Sequence, residues 1–389
     1  MTKTLTPRYT LNQMAYWAAA AGIMSFASAF LLSKGFAPSM VGVLLASGNL
    51  LSCVLQPILA DRADRAADGN ILPRLCIALT ALCALFFGSL LFLPVPQWLY
   101  GLLYLLGIFT FDAMTPLMNS ISVAYSQQGF PVNYGFGRGI GSLAFSLAAL
   151  AIGWVMAEFG ADWMLWLVLV LLLLNGLIIL GYPTLEKKQT RETAHNECCS
   201  LAVFFVRYKW YCFSLLGVLL LAMFHAMTEN YLIEVFAPLG GDSGSVGVAL
   251  FIATLIEMPV LIYFTQVHRR LGHSFMLKVA GLSFLLKSFL LLWAPSVTAI
   301  YAIELLQATS YAFLSPTQLY YANDKIDSAD MVKGQAFITA SYTLGCAIGN
   351  FIGGQLLEFF HVHALLLAGV GMAAAGTLIL FLTVDKRDR

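Results

Sequence analysis

Several side chains in this sequence carry charge where their neighbours offer no water. Asp112, Arg138, Glu229, Glu257, Lys287 and Glu304 each fall at the edge of or inside a long apolar stretch. An ionised group at the centre of an apolar helix costs roughly 2.5–3.5 kcal/mol on insertion scales, so each one needs a partner or a task. Two chemistries are open. Opposite charges can neutralise one another as structural ion pairs. Alternatively, a carboxyl without a base can load a proton on one side of a membrane and release it on the other, because burial disfavours its charged form. Asp112, Glu229, Glu257 and Glu304 outnumber Arg138 and Lys287, and that excess of acid makes proton coupling the natural hypothesis.

Depth along each stretch, at about 1.5 Å per residue, separates these groups. Asp112, Glu257 and Lys287 come out near the middle, and Lys287 is too deep to snorkel. Glu304 and Glu229 come out nearer one end. Lys287 and Glu304 lie on consecutive antiparallel stretches joined by a short loop and suit either a structural ion pair or a coupling role. Asn119 lies two helical turns from Asp112, so the two could line one polar stripe facing Arg138, unless Asp112 only caps a neighbouring helix. Glu257 precedes Pro259, which kinks a helix and frees a carbonyl, and the acid either couples protons or packs. His225 and Glu229 are four residues apart on one helix face and could share a proton. Among uncharged residues, Tyr16, Trp17, Tyr231 and Tyr311 with Gln307 could hold a ring-bearing solute, or could simply pack.

The elements that must position these groups are membrane spans. The 389 residues are 60% hydrophobic and 11% charged, with a mean hydropathy of +0.81, whereas soluble chains carry about 25% charge. Breaking the chain at charged and Pro/Gly-rich intervals predicts twelve apolar helices, at 11–32, 39–60, 73–94, 98–124, 136–157, 162–182, 210–237, 245–267, 274–294, 297–322, 334–359 and 362–384. The fold class is therefore all-α integral membrane, with six-helix halves at 1–183 and 210–389 around a polar loop at 184–209. With the N-terminus inside, the inner segments hold nearly all the Lys and Arg and the outer ones only Lys34. That bias predicts a multi-pass protein of the cell membrane with both termini cytoplasmic. The polar residues 1–10 lead into a full-length span without a cleavage-like end, so no removable signal peptide is expected.

Other classes of function find no support. A net charge of +1 without a basic tract leaves no footprint for nucleic acid. The seven cysteines form no CxxC and no Cys/His cluster, so neither a metal nor a cofactor is expected. No Walker motif, HExxH or GxSxG appears, which argues against ATP drive and against an enzyme.

The halves echo one another. Span 2 runs into Leu59-Ala60-Asp61-Arg62-Ala63-Asp64-Arg65 and span 8 into His268-Arg269-Arg270-Leu271-Gly272, while span 11 carries Gly345, Gly349 and Gly353 where span 5 is also rich in small residues. Such repeats suit alternating access, in which one half rocks against the other, and they equally suit plain packing. Twelve spans in two halves with this loop resemble the major facilitator superfamily. That likeness implies that Asp61, Arg62 and Arg65 form a cytoplasmic latch, with Pro57 standing where the signature has glycine. Within the superfamily the chain is most similar to the branch of the lactose, phenylpropionate and nucleoside permeases. Tyr134-Gly135-Phe136-Gly137-Arg138-Gly139-Ile140-Gly141-Ser142 resembles their span 5, where the matching arginine contacts substrate. Ile256-Glu257-Met258-Pro259 resembles a span 8 pattern, and Lys287 matches a basic position of span 9. The acidic, histidine and proton-carrying positions of the sugar symporters correspond to Asn119, Gln307 and Ser310, so their relay does not carry over.

The expectation is a secondary transporter, acting as a monomer in the lipid bilayer. It would bring in a small organic solute such as a sugar, nucleoside or aromatic carboxylate together with H+. Substrate would meet Arg138, Asn119, Tyr16, Trp17, Tyr231, Gln307 and Tyr311. Protons would be handled by Asp112, Glu257, Glu229, His225, Glu304 and Lys287, with Arg138 and Asp112 forming one site. The alternatives are a proton-coupled exporter of drugs or solutes and a transporter-derived receptor that moves nothing.

Overall fold

Backbone N–H and C=O groups cannot stay unpaired in hydrocarbon, and an α-helix satisfies them within one segment. The computed structural model describes residues 4–65, 68–185, 201–327 and 330–385, and among these there are helices and no strand. Among the described residues ten helices are long and apolar enough to cross a membrane, and the bent pair Thr6–Ser25 and Ala27–Ser33, meeting at 50°, makes an eleventh crossing. One of the ten, Met331–Thr383, has 53 residues. That is roughly 80 Å of helix against about 30 Å of hydrocarbon. It breaks at His361, whose φ of 67° and ψ of 175° lie outside the helical region, so it provides two crossings and brings the total to the twelve expected.

Span 1 is Thr6–Ala20, a π-helical turn Ala21–Ser25, and Ala27–Ser33. Span 2 is Pro38–Arg65, span 3 Ile71–Phe92, span 4 Gln97–Gln127, span 5 Tyr134–Phe159 and span 6 Asp162–Leu180. Span 7 is Lys209–Asn230, continued after a break at Tyr231 by Leu232–Phe236. Span 8 is Ser243–Ile262 followed by Phe264–Leu271, and span 9 is His273–Leu292. Span 10 is Val297–Glu304, a 3-10 turn Leu305–Ala308, and Tyr311–Lys325, and the two arms of Met331–Thr383 are spans 11 and 12. A short helix, Leu201–Arg207, lies inside the interval expected to be loop. Its apolar run is too short to span, and it is held by Phe204, whose ring meets Phe337 at 5.3 Å and Tyr208 at 4.9 Å.

The chain packs as two compact units. One contains spans 1–6 with Asp242–Phe251, and the other contains spans 7–12 apart from that stretch. The outer turns of span 8 were expected in the second half. They join the first unit because Gly247 meets the carbonyl of Ala149 and the backbone of Gly153, an approach that a side chain at either glycine would block. Within the first unit span 1 packs on spans 5 and 6, span 4 on spans 2 and 3, and span 3 on span 6. The second unit repeats the scheme six spans later, with span 7 against the helix of spans 11 and 12 and span 9 against spans 10 and 12. Its tightest seam is span 11 on span 7, where a Cβ added to Gly345 would lie 2.5 Å from the carbonyl oxygen of Leu219.

Candidate functional site

In the second unit, span 10 sets the chemistry. It is α-helical as far as Glu304 and then tightens to 3-10 geometry over Leu305–Ala308. Side chains three apart eclipse in a 3-10 turn, so Glu304 and Gln307 converge on one target. That target is Lys287 of span 9. Its Nζ donates to Glu304 Oε2 at 2.7 Å, to Gln307 Oε1 at 3.0 Å and to Glu229 Oε1 of span 7 at 3.3 Å. An ammonium has three N–H donors and all three are committed. Lys287 and Glu304 are 1% and 2% exposed, so this pair is sealed from solvent, while Glu229 is 18% exposed.

Glu229 has a second neighbour. His225 Nδ1 lies 3.8 Å from Glu229 Oε1 across one helical turn. The His225 ring stacks on Tyr311 at 4.9 Å and 17°, and Tyr311 in turn meets Tyr342 at 6.1 Å. Lysine only donates, so Gln307 must turn its oxygen to Lys287 and its amide nitrogen away. Glu257 of span 8, half-buried, lies near this group. One base and three carboxylates thus share a connected polar cluster with a histidine at its edge.

Two expectations change here. Counting along the spans places Glu229 nearer one end than Lys287, yet the two touch. Counting turns from the first residue of a helix overstates depth when, as at Lys209-Trp210-Tyr211, its first turn has interfacial character. The i, i+4 relation of His225 to Glu229 is the available signal that this face is polar. Tyr231, expected to contact solute, is instead fully buried, and its hydroxyl donates to the carbonyl of Asn350 at 2.9 Å. It fastens the break of span 7 to span 11.

In the first unit the arginine of span 5 is presented by close helix packing. Asn133 caps the helix by accepting from the Phe136 N–H at 3.0 Å. A Cβ at Gly141 would lie 2.8 Å from Trp17 Cδ1, so glycine is what lets span 1 come this near. The Arg138 guanidinium then rests on Trp17, its Cζ 3.9 Å from the ring centroid, and Nη1 donates to Ser142 Oγ at 2.7 Å. Cation–π contacts of this kind contribute about 0.5–2 kcal/mol, more as water is excluded. The indole is itself fixed, because Trp17 Nε1 donates to Gln13 Oε1 at 2.8 Å and Gln13 Nε2 donates to the Tyr9 hydroxyl at 2.9 Å. Gln13 is fully buried. It is not among the expected site residues, and its place one turn before Trp17 is the sequence signal for it.

The expected Arg138 and Asp112 site takes a different form. Asp112 is 8% exposed, close to Tyr16 and Cys83, with its backbone oxygen accepting from Gln56 Nε2 at 3.0 Å. Among the described residues it enters no salt bridge, and the Arg138 guanidinium rests on Trp17. Tyr16, also expected to contact solute, is 1% exposed. Its ring stacks on Phe111 at 4.6 Å and its hydroxyl meets Thr115 Oγ1 at 2.5 Å, so it is a core residue. Asn119 is half-buried on the same helix as Asp112. Asp61 and Arg62 are exposed at the end of span 2, and the side chain of Arg65 lies outside the described set.

Residues 8–368 match the model of the MFS_1 like family. The chain belongs to the major facilitator superfamily. It is 24% identical over 364 residues to an uncharacterised transporter, YwbF, of Bacillus subtilis, covering 90% of this chain and 86% of that protein. It is also 24% identical over 359 residues to the maltose permease of Geobacillus stearothermophilus, with the same coverage. Among solved structures, a variant of the nucleoside transporter NupG superposes with a TM-score of 0.80 at 13% identity, covering 98% of this chain and 100% of that one. The protein is a multi-pass membrane transporter of the major facilitator type, not an enzyme.

Proposed function

We propose that this transporter is a proton-coupled symporter of the cell membrane, with cytoplasmic termini, that imports a neutral hydroxylated solute of the sugar or nucleoside class by alternating access. The observation that carries this is the cluster around Lys287, where one committed ammonium serves two carboxylates, Glu229 and Glu304. Charge left over in a membrane interior is costly, and a proton removes it. Asp112 is the candidate proton site of the other unit.

The same count speaks against an anionic solute. Lys287 has no donor to spare, and three carboxylates would repel a negative charge, while hydroxyl groups can donate to them. Arg138 on Trp17 supplies a donor beside an aromatic face, suited to a ring that carries hydroxyls. The names of the maltose permease and the nucleoside transporter agree with that class. The test is uptake of labelled maltose and uridine into proteoliposomes of the whole protein under an imposed pH gradient. Symport predicts accumulation when the outside is acidic, together with alkalinisation of the outer medium on adding solute. Solute-driven proton release would instead make it an antiporting exporter, and absence of flux and binding for every solute of these classes would favour a receptor.

A further inference from the structure

We infer that Glu229 is a solute-binding residue whose Oε2 atom accepts a hydrogen bond from a hydroxyl group of the solute. The inference rests on the sugar or nucleoside reading and deepens it by naming the acceptor. It is independent of whether protons drive uptake.

The two carboxylates that share Lys287 are held differently. Glu304, 2% exposed, takes the shortest bond from Lys287, at 2.7 Å, and is sealed in with it. Glu229 is 18% exposed. Both of its close neighbours able to carry positive charge lie on one oxygen, Oε1, with Lys287 Nζ at 3.3 Å and His225 Nδ1 at 3.8 Å. The other oxygen, Oε2, takes no hydrogen bond from any described residue, and it is not one of the enclosed polar atoms that lack a partner, so it faces open space.

That space is not hydrocarbon. A carboxylate oxygen turned to lipid at the depth of Lys287 would give up its water and gain nothing in return. The opening therefore admits water, and a solute that enters it replaces this water at Oε2. A carboxylate has lone pairs and no proton to give, so it selects a donor, and the bond to an ionised acceptor is stronger than one between neutral groups. A hydroxyl meets this demand, whereas an ether or a bare C–H at the same place does not.

The acceptor is also fixed before the solute arrives. Lys287 is pinned, because its other two N–H groups go to Glu304 at 2.7 Å and Gln307 at 3.0 Å. The His225 ring lies on Tyr311 at 4.9 Å and 17°, and it closes the Oε1 side of the carboxylate. Both rings are half-buried, so the open oxygen has an aromatic surface beside it. Pyranoses and ribosides carry hydroxyls at the rim of a ring with an apolar face, and a pre-placed acceptor next to an aromatic wall suits that combination.

The test is calorimetric binding of uridine and maltose to the purified whole protein, each compared with analogues that lack one hydroxyl. For the solute that binds, one deoxy analogue should bind the wild type about ten- to a hundredfold more weakly than its parent, as a lost hydrogen bond to a charged acceptor predicts. In Glu229→Gln, Lys287 holds the amide oxygen and the N–H groups turn to the solute. The parent should then weaken about tenfold or more, and its lead over that analogue should shrink to within about threefold. Glu229→Met, which has no carboxyl oxygen, should shrink the lead in the same way and serves if the first variant fails to fold. A lead that survives in either folded variant, or a wild type that binds a parent and all of its deoxy analogues within about threefold, overturns the inference alone. If neither uridine nor maltose binds the wild type, the solute class is overturned and the inference falls with it. A lead that disappears as expected in a protein without proton-driven uptake overturns symport and upholds the role of Glu229.

Discussion

Removing the base at the centre of the second unit should destabilise the protein by an amount that depends on pH. Lys287→Met leaves Glu304, 2% exposed, without its cation and takes one of two neighbours from Glu229. The orphaned carboxyl cannot stay ionised in that setting and must take up a proton. Bringing a carboxyl with an ordinary midpoint of about 4.3 to its neutral form at pH 7 costs about 3.7 kcal/mol, in line with the 3–5 kcal/mol typical of breaking a buried pair. On the scale of a domain of 150–250 residues this is roughly 7–15 °C in Tm. The folded variant now binds one more proton than the unfolded chain, so its stability rises as pH falls. The deficit should shrink by about 1.4 kcal/mol per unit between pH 7 and pH 5. Intrinsic tryptophan fluorescence of the detergent-solubilised protein during heating measures it. Lys287→Met with Glu304→Gln should recover most of the loss, because the second change supplies the neutral side chain that the first would otherwise have to make by protonation. If the double variant is no more stable than the single one, and the deficit is the same at pH 5 and 7, the pair does not stabilise the fold and the charge count behind the proposed function fails.

Other variants probe the first unit and the helix seams. Arg138→Lys keeps the charge but loses the planar group on Trp17, and should raise KM for maltose or uridine counterflow about tenfold while Tm stays close to the wild type. Gln13→Leu orphans the Trp17 N–H and takes a donor from the Tyr9 hydroxyl in a fully buried site; it should cost about 1–3 kcal/mol in thermal unfolding and raise the same KM. Gly345→Leu would drive a side chain into the carbonyl of Leu219, and since a backbone cannot yield as a rotamer can, size-exclusion chromatography should show loss of monodisperse protein.

The crossings are legible in the sequence because hydrocarbon imposes one rule on every segment, and charges mark where it stops applying. Span 4, expected at 98–124, is Gln97–Gln127, and the difference is helix that runs past the apolar layer. The short helix Leu201–Arg207 is not legible, because a run too short to span is held only by tertiary contacts such as Phe204 on Phe337. The site divides along the same physical line. Spans 9 and 10 are joined by a short loop, so the antiparallel partners can be matched from the sequence alone, and Lys287 finds Glu304 there as it does in the fold. Arg138 and Asp112 are matched in the sequence only by a polar stripe on span 4, and such a stripe says nothing about direction around the axis of span 5. What decides direction is which neighbour can approach most closely. Gly137 and Gly141 flank Arg138 at one residue before and three after, and both are packed against span 1. The arginine is therefore held on the side where its own helix is thinnest, beside the aromatic residue of span 1 that fills the gap. A charged residue set among glycines in a membrane helix is better assigned first to the helix that those glycines admit, and only then to the nearest opposite charge.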